Sequence, residues 1–173
     1  GSVFEWGSVT KLTVWISVMQ LWEQGKIDLE EDIRTYLPEG FLRNLRYDKP
    51  ITMLDLMNHQ PGFDEAPLYM QGGKSLEDLL LQYQPAQSFE PGTTTAYSNY
   101  STGLAAYIVE RISGQSFVDY VHEHIFQPLG MERTAIAQDL SDNAYVQAKR
   151  KEVKGYATDG SLLGDARRSV FRR

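Results

Sequence analysis

The sequence contains no cysteine, and this absence removes several kinds of chemistry at once. A disulfide framework, a thiolate zinc site and a cysteine nucleophile all require thiols, so none of them is available to this chain. Long apolar runs are also missing, since none reaches the ~18 residues that a membrane-spanning helix needs. We therefore expect no membrane contact from these residues.

Positive charge is in short supply as well. The chain has 17 Lys and Arg against 23 Asp and Glu, a net charge of −6, and the two signs are interspersed. This pattern lacks the extended basic stripe that follows a nucleic-acid backbone, so we expect no nucleic-acid partner. Of the three histidines, His122 and His124 stand two positions apart on a predicted helix and face different sides, which argues against a metal pair. We expect neither a metal nor another cofactor.

What the sequence does contain is enough apolar surface for one core, with 42% hydrophobic residues in 173. Strand signals are few, whereas helix signals recur. The apolar run Leu12–Trp22, followed by Gly25, predicts a buried central helix. The segment Tyr100–Ile112 has apolar residues at helical spacing and ends at Gly114. The predicted fold class is mostly α with little β.

Three shorter helices are predicted from a hydroxyl residue followed three positions later by Asp, a pattern that caps helix starts. The pairs are Thr52 with Asp55, Ser75 with Asp78, and Ser116 with Asp119. Beyond Met131 we expect loops with a short strand near Tyr156. No linker or internal repeat is visible, so residues 1–173 are predicted to form a single domain. We expect Gly1 and Ser2 to be a cloning remnant.

Ser8 and Lys11 stand three positions apart at the start of the first predicted helix, a spacing that puts both side chains on one face. A serine hydroxyl becomes a good nucleophile when a neighbouring base takes its proton, and a lysine amine can do so where its surroundings disfavour the ammonium form. Alone, this motif is weak, because about one Ser-x-x-Lys match is expected by chance in a chain of this length. A helix cap followed by an exposed lysine is the commoner explanation of such a motif on its own.

Tyr97, Ser98 and Asn99 lie in the loop just before the second long predicted helix. A phenol can relay protons, and an asparagine amide can orient the amide of a substrate. The alternative is a solvated turn in which Ser98 and Asn99 bond to the local backbone. This motif is not specific by itself either.

Taken in order, several segments resemble the β-lactamase and penicillin-binding-protein superfamily, in particular the class C β-lactamases, low-molecular-weight penicillin-binding proteins and related esterases. The segment Val3-Phe-Glu-Trp-Gly-Ser-Val-Thr-Lys11 is similar to the family's nucleophile segment. The other similar segments are Ile51–Phe63, Pro91–Asn99 with its Tyr-Ser-Asn motif, Gly103–Gly114 and Phe126–Met131. Their common order over nearly the whole chain makes the resemblance far more specific than either short motif.

The resemblance implies a serine hydrolase in which Ser8 attacks an amide or ester carbonyl and forms an acyl-enzyme. In that mechanism Lys11 is the general base, and Tyr97 assists proton transfer to the leaving group. Asn99 binds the amide side chain of the substrate, which would be a β-lactam, a D-amino-acid peptide or an ester. The oxyanion hole would use the backbone N–H of Ser8 and a second donor from a sheet strand.

The family's third motif, Lys-Thr-Gly or His-x-Gly, has no counterpart between Gly130 and Arg173. The strands that precede the nucleophile in the family are missing from the sequence too. We therefore expect the helical region of the family's α/β, serine transpeptidase-like fold, with the sheet strands largely missing at both ends. Because losing one oxyanion donor slows catalysis about 100- to 1000-fold, we expect this chain alone to be a poor catalyst. His59, followed by Gln-Pro where the family usually has Thr-Ser, is predicted to be a buried structural histidine.

A second hypothesis, from a different class of function, is a non-catalytic binding or interaction module that keeps the helical scaffold. The missing third motif favours it for this chain. Helix faces left without their sheet are apolar, so we also expect self-association through them. The resemblance places the parent protein outside the cytoplasmic membrane, where members of the family usually work.

Overall fold

Helices dominate the computed structural model of the chain, which describes residues 3–65, 74–156 and 158–163. Gly1 and Ser2, the expected cloning remnant, lie outside these ranges. Within them, β-structure is limited to one two-stranded hairpin and two isolated bridges. The predicted fold class, mostly α with little β, is confirmed.

The described ranges contain six α-helices, joined by turns and irregular segments. They are α1 Lys11–Glu23, α2 Met53–Met57, α3 Leu76–Gln82, α4 Asn99–Ser113, α5 Phe117–Val121 and α6 Ala144–Glu152. Two 3₁₀ turns lie at Gly7–Thr10 and Ile33–Tyr36, and a π-helical turn, His122–Phe126, continues α5. The hairpin pairs β1 Gly155–Tyr156 with β2 Leu162–Leu163 in antiparallel register, Gly155 opposite Leu163.

The three predicted helix caps are all present. In each, the hydroxyl of the cap residue accepts a hydrogen bond from the backbone N–H of the Asp three positions on. Thr52 and Asp55 complete a capping box, because the Asp55 carboxylate also accepts from the Thr52 N–H at 2.9 Å. Helix α4 begins after the capping residue Ser98 and ends at Gly114, whose φ of 73° is a conformation that glycine adopts without strain.

Helix α4 lies at the centre of the core. Its side chains are buried on several sides, and those of Tyr100, Leu104 and Ile108 are fully enclosed. Helices α1, α2, α3 and α5 all pack against it. A helix so enclosed is stabilised mainly by burial of apolar area, at about 25 cal/mol per Å² removed from water. Helix α4 therefore holds the segment just before it, including Tyr97, in a fixed place.

Helix α1 is buried on one face only, which corrects the prediction of a buried central helix. Its inner face packs into the core through Val14, Ser17, Val18 and Leu21. The opposite side, which we call the α1 outer face, consists of Leu12, Ile16 and Trp22, whose exposed fractions are 57%, 43% and 48%. Two apolar faces on one helix produced a sequence pattern that looks buried all round. Among the described residues, nothing covers the outer face.

Helix α6 lies where the sequence predicted loops. Asn143 caps it by accepting a hydrogen bond from the Val146 N–H at 3.1 Å, and its Ala, Gln, Lys and Arg residues are good helix formers. None of its residues is buried, so no apolar periodicity marks it in the sequence. The strand predicted near Tyr156 is confirmed as β1. Of the helices described, none is long and apolar enough to cross a membrane.

Candidate active site

Ser8 lies in the 3₁₀ turn Gly7–Thr10, which leads directly into α1 at Lys11. Gly7 has a φ of 51°, in the left-handed region that favours glycine. The turn exposes Ser8 and sets Lys11 at the first position of α1. Lys11 Nζ donates a hydrogen bond to Ser8 Oγ at 3.1 Å, so the predicted proximity of the two side chains is confirmed.

Tyr97 and Asn99 meet Ser8 and Lys11 at the junction of α1 and α4. Ser8 Oγ lies 2.7 Å from Tyr97 Oη, although 89 positions separate the two residues. Lys11 Nζ donates to Asn99 Oδ1 at 2.8 Å and lies 4.8 Å from the centre of the Tyr97 ring. All four predicted site residues are therefore brought into one hydrogen-bonded cluster.

His59, at the turn after α2, holds the loop that carries Tyr97. Its carbonyl oxygen accepts from the Ala96 N–H at 2.8 Å, its Nδ1 accepts from the Ser98 N–H at 3.2 Å, and its ring lies against Tyr97 with centroids 4.6 Å apart. The prediction of a buried histidine is wrong, because His59 is only half-buried. Its φ is 56°. It supports the site directly, a role that its sequence position did not indicate.

Glu65 is a second residue that sequence reasoning missed. Its Oε1 accepts a hydrogen bond from Asn99 Nδ2 at 2.8 Å, and its Oε2 accepts from the Asn99 backbone N–H at 3.2 Å. The 34 positions between the two residues carry no pattern that predicts this contact. Together, Lys11 and Glu65 fix both ends of the Asn99 amide.

The surroundings of the cluster shift two pKa values. Burial raises the pKa of Tyr97, but hydrogen bonds with Lys11 and Ser8 and the positive charge of Lys11 outweigh it, so the pKa lies below the usual 10.0. Burial and then the charge of Lys11 lower the pKa of His59 below 6.5, against the opposing charge of Glu65. Ser8 and Tyr97 are exposed, which leaves one side of the cluster open to solvent.

The described residues hold no group of three or more His, Asp and Glu side chains placed to bind a metal ion. His122 Nε2 lies 2.8 Å from Asp142 Oδ2, whereas His124 Nε2 lies 3.2 Å from Gln115 Oε1. The two imidazoles therefore have different neighbours, as their spacing predicts. The cluster around Ser8 contains a hydroxyl, an amine, a phenol and an amide, which is a set suited to proton transfer and acyl transfer.

Comparison with known proteins identifies the family of the chain. The sequence profile of the β-lactamase family matches residues 1–168. An Escherichia coli K12 protein, provisionally named as a D-alanyl-D-alanine carboxypeptidase, is 28% identical over 94% of this chain and 40% of its own length. A β-lactamase of the same strain is 30% identical over 95% of this chain and 43% of its own length.

Solved structures agree on the fold. The octameric penicillin-binding protein homologue from Pyrococcus abyssi superposes on 91% of this chain and 37% of its own, with a TM-score of 0.72 and 21% identity. The chain spans about two fifths of the length of each of these relatives. Because the family profile matches nearly all of its residues, the chain belongs to the β-lactamase family.

Proposed function

We propose that Ser8 is the nucleophile of an acyl-transfer site, with Lys11 and Tyr97 moving its proton and Asn99 binding the substrate. The observation that carries this proposal is the hydrogen-bonded set in which Ser8 Oγ lies 2.7 Å from Tyr97 Oη and 3.1 Å from Lys11 Nζ. Distances in this range are those that a general base needs to take a proton. A serine hydroxyl without such neighbours is a poor nucleophile.

The short contact between Ser8 Oγ and Tyr97 Oη, together with the lowered pKa of Tyr97, supports Tyr97 as the first proton acceptor. An ammonium group only donates, so Ser8 Oγ accepts from Lys11, and either hydroxyl can donate in the contact between Ser8 Oγ and Tyr97 Oη. When Tyr97 is ionised its oxygen can only accept, and the Ser8 proton then points to it. The lowered pKa of Tyr97 makes its phenolate more accessible, and the adjacent Lys11 cation stabilises that anion. In this mechanism Lys11 acts through its charge, while a neutral Lys11 that takes the proton itself is the alternative that the resemblance suggests.

The bond changes follow from these positions. Ser8 Oγ forms a bond to the substrate carbonyl carbon, the proton on Ser8 passes to Tyr97, and Tyr97 then delivers it to the leaving nitrogen or oxygen as that bond breaks. Water later hydrolyses the acyl-enzyme. Asn99 holds the amide next to the reacting carbonyl. The names of the curated relatives support a β-lactam or a D-alanyl peptide as substrate, and an ester is chemically equivalent.

We further propose that this chain alone turns substrate over slowly. Oxyanion stabilisation requires several donors in a site from which water is excluded, and the resemblance assigns one of them to the Ser8 N–H and another to a sheet strand. Exposed Ser8 and Tyr97 mean that a carbonyl bound here stays in contact with solvent. The parent protein, by family, would act outside the cytoplasmic membrane. A non-catalytic interaction module is the competing proposal, and the exposed α1 outer face favours it.

Intact-mass spectrometry tests the nucleophile. The chain is incubated with a fluorescent penicillin and, separately, with an activated fluorophosphonate, beside the variants Ser8→Ala and Ser141→Ala. Ser141 is an exposed serine outside the cluster and serves as the matched control. An adduct that disappears in Ser8→Ala and persists in Ser141→Ala supports the proposal. Absence of any adduct on the unchanged chain would overturn it for this chain and favour the interaction module.

A further inference from the structure

Glu65 and Lys11 hold the Asn99 amide from opposite ends. Lys11 donates to Asn99 Oδ1 at 2.8 Å, and Glu65 accepts from Asn99 Nδ2 at 2.8 Å and from its backbone N–H at 3.2 Å. Reversing the amide would point its N–H groups at the ammonium and its oxygen at the carboxylate, and both contacts would be repulsive. The amide nitrogen therefore faces Glu65.

This orientation decides which group of Asn99 is left for a substrate. The Nδ2 group has two hydrogens, and Glu65 occupies one of them. The second can donate to the carbonyl oxygen of a substrate amide. A substrate amide whose oxygen accepts from Asn99 Nδ2 has its neighbouring carbon near that nitrogen, which itself lies 2.8 Å from Glu65 Oε1.

The Glu65 carboxylate is exposed, and the cation of the site, Lys11, lies at the opposite end of the Asn99 amide. The Glu65 side chain forms no ion pair with a described Lys, Arg or His. Its field nevertheless extends over the site, since it acts on both Tyr97 and His59. A charged substituent bound beside Asn99 experiences this field at short range.

We infer that Glu65 is a specificity-determining residue that favours acyl groups carrying a protonated amine beside the amide and disfavours those carrying a carboxylate there. The inference rests on the proposed function of Ser8 and Asn99. A unit charge about 7 Å away in a water-like medium changes binding roughly threefold, so the ammonium and carboxylate forms differ roughly eightfold. Because the effect is electrostatic, it shrinks as salt is added.

Three penicillins isolate this effect, because benzylpenicillin, ampicillin and carbenicillin carry hydrogen, an ammonium and a carboxylate on the same carbon. The rate of Ser8 acylation is measured by intact mass at about pH 6, where an α-amino group is protonated. We expect the order ampicillin, benzylpenicillin, carbenicillin, spread roughly eightfold. In Glu65→Gln the spread should fall below about twofold, whereas the neighbouring exposed carboxylate variant Asp64→Asn should keep it.

Two further arms separate this inference from the function on which it rests. Raising the salt to about 0.5 M should reduce the spread in the unchanged chain without any mutation. If benzylpenicillin does not acylate Ser8, the proposed function fails, and binding is then measured in Ser8→Ala from the side-chain NH₂ resonances of Asn99. The same order of dissociation constants would support the role of Glu65. The role of Glu65 would be overturned by an unchanged spread of rates or dissociation constants in Glu65→Gln. It would also be overturned if no penicillin at millimolar concentration shifted the Asn99 NH₂ resonances.

Discussion

The hydroxyl of Tyr97 is the atom whose removal tests the proposed proton path most directly. Tyr97→Phe deletes the oxygen that lies 2.7 Å from Ser8 Oγ and keeps the ring that packs against His59. Tyr97 is 52% exposed, so we expect the substitution to change the free energy of unfolding of the protein by less than about 0.5 kcal/mol. If Tyr97 takes the Ser8 proton, the acylation rate should fall about 100- to 10,000-fold, the range found for general bases.

The proposed role of Tyr97 also predicts how the acylation rate changes with pH. In the proposed mechanism the phenolate of Tyr97 is the proton acceptor, and the phenolate fraction rises with pH. Because the pKa of Tyr97 is lowered from 10.0, the acylation rate should rise and level off below the pH at which an ordinary tyrosine titrates. Tyr97→Phe should lose that rise as well as the absolute rate.

The assay is the rate of fluorophosphonate labelling at Ser8, followed by intact mass between about pH 6 and pH 10. Tyr145→Phe is the matched control, since Tyr145 is 46% exposed and lies on α6, outside the cluster. Labelling of Tyr97→Phe at the unchanged rate and with an unchanged pH profile would refute the reasoning. The Ser8 proton would then leave by another route, with Lys11 as the nearest candidate.

Three further predictions concern stability and association. Gly62→Ala should lower the free energy of unfolding, measured in urea, by more than about 2 kcal/mol, because the new Cβ would overlap the carbonyl oxygen of Phe89. Gly62 has a φ of 85°. Gly25→Ala is the control: its φ is 69° but no atom lies near the new Cβ, so it should cost only about 1 kcal/mol. Because the pKa of His59 is lowered in the folded chain, the unfolded chain binds more protons, and the free energy of unfolding should fall as the pH drops below 6.5. His59→Asn should flatten this part of the pH dependence when urea unfolding is measured at a series of pH values. Ile16→Glu on the α1 outer face should reduce self-association in size-exclusion chromatography, and a clean monomer of the unchanged chain at every concentration would contradict the expectation.

Helix starts were the most predictable part of the fold, because the signal is local. In all three predicted pairs the hydroxyl accepts a hydrogen bond from the backbone N–H of the Asp, and in Thr52–Asp55 the carboxylate also accepts from the backbone N–H of Thr52. Helix α6 escaped prediction because it buries nothing, and apolar spacing is the main signal for a helix. The exposed outer face of α1 also escaped it. Periodicity reports which faces are apolar and does not report whether a partner covers them.

The site was predictable in part. The spacing of Ser8 and Lys11 puts both on one face, but it says nothing of Tyr97 and Asn99, whose arrival at the same place depends on how α4 packs against α1. The family resemblance supplied that connection. The resemblance did not predict the contacts of His59 and Glu65. The contacts of His59 depend on a turn in which its φ is 56°, and Glu65 lies 34 positions from its partner Asn99. Such contacts leave no trace in one sequence.

The arrangement separates two steps of catalysis that usually occur together. In the proposed mechanism, activation of Ser8 needs only its hydrogen-bond contacts with Tyr97 and Lys11, and both contacts are present in the described residues. Turnover of an amide also needs stabilisation of the oxyanion and exclusion of water, yet Ser8 and Tyr97 are exposed. A fluorophosphonate carries a far better leaving group than an amide, so its reaction with Ser8 depends less on the rest of the site than amide turnover does. We therefore expect the fluorophosphonate to label Ser8 far more readily than this chain turns over a penicillin. Comparable efficiency in the two reactions would show that the described site stabilises the oxyanion well enough for turnover.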